Sequence, residues 1–272
     1  GIEDVDEVTA EQWGSFPGPH MHVARMWALR NRIAEYQARA DVRGVVVTHG
    51  TDTLEETAYF LHRTLQPAKP LVLTAAMRPA TSLQADGPQN LLDAVTLARD
   101  AGVCGVSVVI AGRAWAGAEV RKQHTYRLDA FDGGDGGPLA MIEDGQVRVW
   151  RPQPAARDAI GLDPIARDAS AWPRVEIVLN HAGADGAIVD ALLAQGGLDG
   201  LVVAGTGNGT ISAALDAALQ RAARAGVRLL RASRCAAGPV LGNGRADLPA
   251  AGALSAVQAR IELLLRLLAG DA

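Results

Sequence analysis

A turn rich in polar side chains directly follows an apolar run near residue 50. After Val-Val-Val at 45–47 come Thr48, His49, Gly50, Thr51, Asp52 and Thr53. In parallel α/β sheets, ligands bind beyond the carboxyl ends of the strands, where such a turn would lie. A helix cap would need only one of these side chains, either Asp52 or Thr53. We therefore predict that the turn belongs to a functional site, with simple helix capping as the alternative.

Lys122 is the cation that could act together with this turn. It lies in the polar stretch "EVRKQHTY", where most lysines would be solvated. An ammonium group beside a threonine hydroxyl can take part in proton transfer, and a nearby carboxylate tunes that chemistry. Lys122 would act with the turn only if folding brings its ammonium group to Thr51, and the residues alone leave this open.

A second predicted strand end is followed by another polar loop, in the segment "TAAMRPATSLQADGPQNL" at 74–91. Its candidate side chains are Arg78, Ser82, Asp86 and Asn90. They could line a site or hold the loop through Asx turns, and the sequence leaves both interpretations open.

The segment "AGTGNGT" at 204–210 is rich in glycine and lies between a predicted strand and a predicted helix. Its alternating glycines do not fit the G-x-G-x-x-G spacing of dinucleotide loops, and no companion acid is evident. A phosphate-binding loop stays open as an alternative. Asn208 and Thr210, placed at a helix N-terminus, could instead meet a carboxylate.

Composition and charge exclude several classes of protein. The chain has 272 residues, of which 49% are hydrophobic and 4% aromatic, so a sizeable core of Ala, Val and Leu is expected. The net charge of -4 provides no basic field for nucleic acid. No apolar run reaches the roughly 20 residues that a membrane span needs.

Metal-binding and disulfide patterns are also absent from the sequence. His20 and His22 form an H-x-H pair without further ligands at metal spacing, so we expect neither a metal nor a cofactor. Cys104 and Cys235 lie far apart, which favours a reducing compartment. We expect a cytoplasmic location, with an upstream signal peptide left open.

Strand-like and helix-like segments alternate along the chain. Continuous apolar runs predict buried strands at 45–48, 71–74, 106–110, 175–179, 201–204 and 227–232. Periodic segments predict helices at 53–65, 88–101, 184–195, 211–225 and 255–269. The alternation predicts an α/β fold with parallel sheets and helices on both faces. Residues 151–173, with four prolines, predict a linker between a larger N-terminal domain at 1–150 and a smaller C-terminal α/β domain at 174–272.

These segments together resemble the bacterial-type L-asparaginase and glutaminase–asparaginase family. "VVVTHGTDTLEETAYFL" is similar to one of its two signature motifs, and "KPLVLTAAMRPATSLQADGPQNLLDAV" is similar to the segment that follows. "GLVVAGTGNGT" and "LLRASR" resemble its C-terminal domain. The resemblance covers nearly the whole chain, and the first two stretches are highly specific.

The resemblance implies roles for individual residues. Thr51 and Asp52 match the Thr-Asp of a catalytic motif, and Lys122 matches the catalytic lysine. The resemblance therefore implies that the Lys122 ammonium lies within hydrogen-bond reach of Thr51 Oγ1, or one water away, with Asp52 beside them. Ala76 matches an alanine whose backbone faces the substrate amide. Asn208 matches a turn that one subunit contributes to its neighbour's site. The implied assembly is a homotetramer, a dimer of dimers with shared sites, which binds an amino acid.

The sequence also departs from the family's pattern. The family begins with a strand that ends in Thr-Gly-Gly-Thr-Ile and supplies a first nucleophile, and no such motif occurs here. We therefore expect an upstream strand whose Thr completes the site opposite Thr51. Ser15 is the candidate for the substrate-binding serine, with Gly18 as the alternative. Thr210 stands where many members have Asn, and the loop after Arg234 lacks the Glu that many members carry.

The leading hypothesis is an amidohydrolase that converts asparagine, or glutamine, to the acid and ammonia. The first alternative is a catalytically inactive amino-acid-binding relative that retains half of the site. The second alternative is a nucleotide-binding α/β protein that uses residues 204–210. For the leading hypothesis we expect a homo-oligomer with a large interface rich in Ala, Leu and Val, in which Asn208 approaches a partner's Thr51.

Overall fold

The structure is a computed structural model, and it describes residues 7–100, 102–154, 160, 171–242 and 244–270. By its internal contacts the chain divides into two compact units, Gly1–Ala159 and Ile160–Ala272. Each unit has its own sheet and its own core.

A mixed sheet forms the centre of the first unit. Its strands are β1 Val45–Thr48, β2 Pro70–Thr74, β3 Gly105–Ile110, β4 Arg113–Ala116, β7 Ala140–Glu143 and β8 Gln146–Val149, and β5 Arg121–Lys122 pairs separately with β6 Phe131–Asp132. The described part of the main sheet has the order β1-β2-β3-β4-β7-β8. β1, β2 and β3 are parallel, with Thr48 opposite Thr74, so the first two strands end at the same edge of the sheet.

Three helices cover this sheet: α1 Val23–Ala38, α2 Leu54–Thr64 and α3 Gly87–Ala98. Ala94 and Leu97 of α3 pack in one cluster with Val72 and Val109. Leu71 and Leu73 face the opposite side of β2, because side chains alternate along a strand. The first turn of α2 contains Glu55 and Glu56, which suit the positive end of the helix dipole. The same helix buries Phe60 and Leu61 completely.

The second unit contains a parallel three-stranded sheet with the order β11-β10-β9. Its elements are β9 Val175–Leu179, α4 Ala187–Gln195, β10 Gly200–Gly205, α5 Ala213–Arg224, β11 Arg228–Ser233 and α6 Ala256–Ala269. α4 and α5 share an apolar cluster that includes Val189, Leu201 and Leu215. A capping box starts α6, in which Ser255 and Gln258 exchange bonds with each other's backbone N–H groups.

The predicted α/β fold, with a larger N-terminal and a smaller C-terminal part, is confirmed. Two features of the first unit differ from the expectation. Neither α1 nor the antiparallel strands β4, β7 and β8 were predicted from the sequence. β1 was expected to be buried on both faces, but its apolar residues are only half-buried and Thr48 is exposed. This is because β1 stands at the edge of the described sheet and pairs there only with β2.

The proposed linker at 151–173 falls largely outside the described residues, which omit 155–159 and 161–170. The exact domain limits therefore stay predictions. Within the described ranges, no helix has the length and apolar character to cross a membrane.

Candidate functional site

Thr51, Lys122 and Asp52 form a connected polar group in the first unit. Lys122 Nζ donates to Thr51 Oγ1 at 2.9 Å and to Asp52 Oδ1 at 2.8 Å. The lysine side chain is 18% exposed, whereas the Asp52 side chain is 55% exposed. The structure thus has the expected arrangement of hydroxyl, ammonium and carboxylate, with the ammonium sheltered and the carboxylate open to solvent.

Residues 49–52 are positioned by contacts to the neighbouring strand and to α2. The His49 N–H donates to the carbonyl of Thr74 at 2.8 Å, which continues the pairing of β1 with β2. His49 Nδ1 lies 2.7 Å from the carbonyl of Gly50, so this nitrogen must carry a proton. In the neutral ring Nε2 then accepts from Thr57 Oγ1 at 3.0 Å, and desolvation by burial lowers the pKa of His49. The ring therefore acts as a neutral link between the turn and α2.

Thr53 occupies the N-cap position of α2, but its side chain does not cap the helix. Its hydroxyl donates instead to the carbonyl of Gly18 at 2.9 Å. Gly50 approaches the same segment, since a Cβ on Gly50 would lie 2.8 Å from Gly18 Cα. The capping interpretation therefore does not account for the Thr53 side chain, and the turn packs closely against residue 18.

Lys122 reaches the turn from a short two-stranded ribbon. It lies on β5, opposite Phe131 of β6. Its backbone N–H donates to Glu55 Oε1 at 3.3 Å, so an acidic residue of the first turn of α2 also holds the ribbon. The lysine is thus fixed at both its backbone and its ammonium group.

Ser15 and Gly18 were alternatives for one substrate-binding position. Gly18 is the residue that contacts the turn, because a Cβ on Gly18 would lie 3.5 Å from Gly50 Cα and 3.6 Å from Asp52 Cβ. Ser15 is exposed and lines a groove of about 1380 Å³ that runs along β1. Its role in substrate binding stays a prediction, and the contacts of Gly18 favour the alternative.

Ala76 lies in the loop just beyond β2, which ends at Thr74 opposite the end of β1. The residue is exposed, and among the described residues neither its N–H nor its carbonyl has a hydrogen-bond partner. The loop around it is held by Asp86 and Asn90, which accept or donate hydrogen bonds at residues 75, 77 and 78. The polar side chains of the loop at 74–91 were expected either to line a site or to hold the loop. Asp86 and Asn90 do hold the loop backbone.

Asn208 belongs to the second unit, where it sits in a tight hairpin. Thr206 and Thr210 exchange backbone hydrogen bonds of 2.9 and 2.7 Å across this hairpin. Asn208 Oδ1 accepts from the Leu241 N–H at 2.7 Å, and its own carbonyl accepts from Arg231. The expectation that Asn208 and Thr210 stand at a helix N-terminus is wrong, because α5 begins three residues later.

The hairpin also counts against a phosphate-binding loop at 204–210. The N–H groups of Thr206 and Thr210 are used within the hairpin, and Ser212 caps α5 by accepting from the Leu215 N–H. A phosphate would need such backbone donors to be free. In the described part of the chain, no group of three or more His, Cys, Asp or Glu residues is arranged to hold a metal ion.

Sequence reasoning missed two residues that shape these segments. Thr57 is fully buried and bonds the His49 ring, but a threonine in an amphipathic helix carries no distinguishing pattern. Arg231 is 3% exposed and donates to the carbonyls of Asn208 and Leu241. An arginine that directly follows two leucines inside a predicted buried strand was the available indication.

The arrangement in the first unit suits chemistry at a hydroxyl group. A threonine hydroxyl bonded to a sheltered lysine is a known pattern for activating a nucleophile or moving a proton in acyl transfer. The edge of a parallel sheet beyond β1 and β2 is where α/β enzymes bind their ligands. Fold and site together define an α/β protein whose candidate site presents a hydroxyl, an ammonium and a carboxylate at a sheet edge.

Comparison with known proteins identifies the family. Residues 1–155 match the family model "Asparaginase, N-terminal", and residues 174–271 match "Glutaminase/Asparaginase C-terminal domain". A glutaminase-asparaginase of Pseudomonas fluorescens biotype A is 35% identical over 239 residues, which are 87% of this chain and 65% of that protein. L-asparaginase 2 of Escherichia coli K12 is 35% identical over 273 residues, which are 98% of this chain and 77% of that protein.

A solved structure has the same fold. The crystal structure of a probable cytoplasmic L-asparaginase from Campylobacter jejuni superimposes with a TM-score of 0.90 and 33% identity, covering 98% of this chain and 86% of that one. The chain therefore belongs to the asparaginase family. It spans 65% of the length of the Pseudomonas relative.

Proposed function

We propose that the protein hydrolyses the side-chain amide of asparagine, and to some extent glutamine, to the acid and ammonia. The observation that carries this proposal is the chain of contacts from Thr51 through Lys122 to Asp52, at 2.9 and 2.8 Å. Family membership supports the same reaction. Nothing in the described residues favours the inactive relative over the enzyme.

In the proposed reaction a hydroxyl adds to the amide carbon, the C–N bond breaks, and nitrogen leaves as ammonia after it gains a proton. Water then attacks the resulting ester, which releases the carboxylic acid and restores the hydroxyl. Thr51 and Lys122 exchange the protons that these steps require, because their polar atoms are already in hydrogen-bond contact. Asp52 holds Lys122 and, through its exposed carboxylate, the α-ammonium group of the substrate.

We also propose that a further strand pairs with the outer edge of β1 and brings a second threonine opposite Thr51. This is supported by the half-buried valines of β1 and by the groove of about 1380 Å³ along them. Exposed strand edges of this kind are usually covered. Intact mass and N-terminal sequencing of active protein test this proposal. Active, folded material that starts at Gly1 would contradict it.

The direct test of the proposed activity is a coupled assay for ammonia with asparagine and with glutamine, together with identification of the acid. Enzyme activity predicts stoichiometric ammonia and aspartate or glutamate. Binding of asparagine without release of ammonia would show the inactive relative instead. Stabilisation by nucleotides but not by aspartate would point to the nucleotide-binding alternative.

We propose a homotetramer in which Asn208 of one subunit completes the site of another. Several large apolar side chains are exposed on the single chain, among them Leu83, Ile188 and Leu241. Such side chains are common in interfaces that bury roughly 2,000 Å² or more. Sedimentation at micromolar concentration should show an oligomer, and a monomer would contradict the shared site.

The proposed location is the cytoplasm. The two widely separated cysteines support it, as does the name of the Campylobacter jejuni structure. A relative from Haemophilus influenzae is named as periplasmic, so fractionation of cells that express the complete gene is the deciding measurement. Enzyme in the periplasmic fraction would overturn this assignment.

A further inference from the structure

Asp86 stands at the N-cap of α3, but its carboxylate does not cap that helix. An aspartate at this position normally accepts from the N–H groups of the first helical turn. Here Oδ2 accepts from the Met77 N–H and Oδ1 from the Arg78 N–H, each at 2.9 Å. The carboxylate is thus used to hold the loop after β2 and not the helix on which it sits.

Asn90 completes this arrangement from one turn further along α3. It is 2% exposed, and its Nδ2 group donates to the carbonyl of Ala75 at 2.8 Å and to Asp86 Oδ2 at 3.0 Å. Its Oδ1 accepts from the Ala111 N–H at 3.0 Å. Ala111 is a non-glycine residue with a φ of 53°, a conformation that other contacts must stabilise. Asn90 therefore ties the end of β2 to the end of β3.

The two peptide units that flank Ala76 are held by these bonds. In a trans peptide the N–H and the carbonyl point in opposite directions. Because the Met77 N–H points to Asp86, the Ala76 carbonyl must point away from Asp86. Because the Ala75 carbonyl points to Asn90, the Ala76 N–H must point away from Asn90. Both free polar groups of Ala76 are thus directed away from α3, and both lack a partner among the described residues.

We infer that Asp86 and Asn90 are positioning residues, which fix the direction of the Ala76 carbonyl so that it accepts a hydrogen bond from the substrate's amide group. The inference rests on the proposed amidohydrolase function. β1 and β2 end in register, so Ala76 follows the same sheet edge as Thr51. A further bond supports the loop, since Arg78 NH1 donates to the carbonyl of Tyr126 at 2.7 Å.

The rigidity of this arrangement follows from how completely its groups are bonded. Asn90 uses both of its donor hydrogens and its acceptor, which leaves the side chain a single orientation. The carboxylate oxygens of Asp86 accept from the Met77 N–H, the Arg78 N–H and the Asn90 amide group, so this side chain is fixed as well. A carbonyl fixed in advance towards the substrate binds without a cost of reorientation.

The experiment compares two substrates in the Asp86→Asn variant. The amide of asparagine carries N–H donors for the Ala76 carbonyl, and the β-methyl ester of aspartate carries none at that position. Rates and KM values are measured for both substrates, and binding of the ester is measured by calorimetry. We expect hydrolysis of the amide to fall by about 10- to 100-fold, the effect of one well-placed hydrogen bond. The ester should change by less than about threefold.

Asp100→Asn is the matched control. Asp100 Oδ1 accepts from the Gly102 N–H at 2.8 Å beyond the other end of α3, so the variant removes a similar loop contact. It should leave both reactions unchanged. If Asp86→Asn lowers the melting temperature by more than about 5 °C relative to this control, Asp86→Ser is measured in the same way, because a hydroxyl can still accept one N–H.

Equal losses with amide and ester, or no loss with either, would overturn the positioning role while the proposed function stands. Failure of the unaltered protein to release ammonia from any amino-acid amide would refute the proposed function itself. The role of Ala76 would then fall with it.

Discussion

The two strand ends at β1 and β2 lie at the same edge of one sheet, yet they present different chemical groups. After β1 come the side chains of Thr51 and Asp52, which contact Lys122 directly. After β2 comes the backbone of Ala76, whose neighbours are held by Asp86 and Asn90. At the β1 end the reactive groups are side chains, which a substitution can remove directly. At the β2 end the group that would contact the substrate is a backbone carbonyl, and a substitution can change only the side chains that hold it.

This difference decides what a substitution can reveal. Removing a functional group at the β1 end removes the chemistry itself, so the loss should be large and similar for every substrate. A substitution of Asp86 or Asn90 at the β2 end alters only the direction of the Ala76 carbonyl. The loss of activity should therefore depend on whether the substrate can donate a hydrogen bond to that carbonyl. The losses expected at the β1 end therefore set the scale against which a loss at the β2 end is judged.

The largest effects are expected for Lys122→Met and Thr51→Val. Each removes one partner of the 2.9 Å contact through which a proton would move. We expect kcat/KM for asparagine to fall by about 10²- to 10⁴-fold in each variant. The double variant should be little worse than either single one, since partners that act as a unit are not additive.

Lys69→Met is the control, because Lys69 is the other lysine of the sequence. It should keep full activity. If either Lys122→Met or Thr51→Val retained more than a tenth of the activity, the two side chains would not be the chemical centre of the β1 end.

Asp52→Asn is expected to lower kcat/KM by about 10- to 100-fold, mostly through KM. The variant removes the 2.8 Å ion pair with Lys122 and the proposed partner of the substrate ammonium. The free energy of unfolding should change by less than about 1 kcal/mol, because the Asp52 side chain is 55% exposed. Steady-state kinetics and denaturant unfolding measure the two quantities.

Asp190→Asn is the matched control for Asp52. Asp190 is an exposed carboxylate paired with Arg221 at 2.7 Å in the second unit. Its substitution should alter stability to a similar small extent and leave the kinetics unchanged. A loss of stability at Asp52 without any change in KM would contradict a role in substrate binding.

Gly50→Ala probes the close packing beneath the β1 end. An added Cβ would lie 2.8 Å from the backbone of Gly18, so one segment must move. We expect the free energy of unfolding to fall by about 1–3 kcal/mol, as at other overpacked sites. We also expect the activity to be reduced. Gly242→Ala is the control, because a Cβ there meets no atom within 4 Å. Equal stability of the two variants would show that the turn tolerates displacement.

Much of the fold could be predicted from local sequence. The strands at 45–48 and 175–179 have the predicted limits, because apolar β-branched runs bounded by polar turns define them. β4, β7 and β8 were missed, since strands of four residues with mixed composition leave no clear period. α1 was missed because its buried stripe consists of Met26, Leu29 and Ile33 among many arginines and polar residues.

The candidate site was predictable to a different degree at its two ends. Threonine and aspartate after an apolar strand indicated chemistry by residue type alone, whereas the pairing with Lys122 spans 71 positions and required the family resemblance. Nothing in the sequence distinguishes an aspartate that caps a helix from one that holds a preceding loop, as Asp86 does. A local sequence pattern shows which side chains are present. The backbone groups to which they bond depend on the folded structure.

The smallest expected effect concerns His49 and the pH dependence of stability. Burial lowers the pKa of His49 below its ordinary value of 6.5, so the folded protein favours the neutral ring. Below about pH 6.5 the unfolded chain binds a proton that the folded chain does not, and stability must fall. The stabilisation that the neutral ring provides is therefore complete above about pH 6.5 and is lost as the pH falls through the lower, folded-state pKa.

His49→Gln should remove this part of the pH dependence. Denaturant unfolding at pH 7.5, 6.5 and 5.5 measures this dependence. The free energy of unfolding of the unaltered protein should exceed that of the variant by less as the pH falls. His181→Gln is the control, since its ring makes a similar 2.9 Å contact to the following carbonyl from an exposed position. If both variants changed the pH dependence equally, the neutral link between the turn and Thr57 would not be a distinct feature of the β1 end. If only His49→Gln changed the pH dependence of stability, the β1 end, like the β2 end, would depend on a side chain that holds the backbone of its turn.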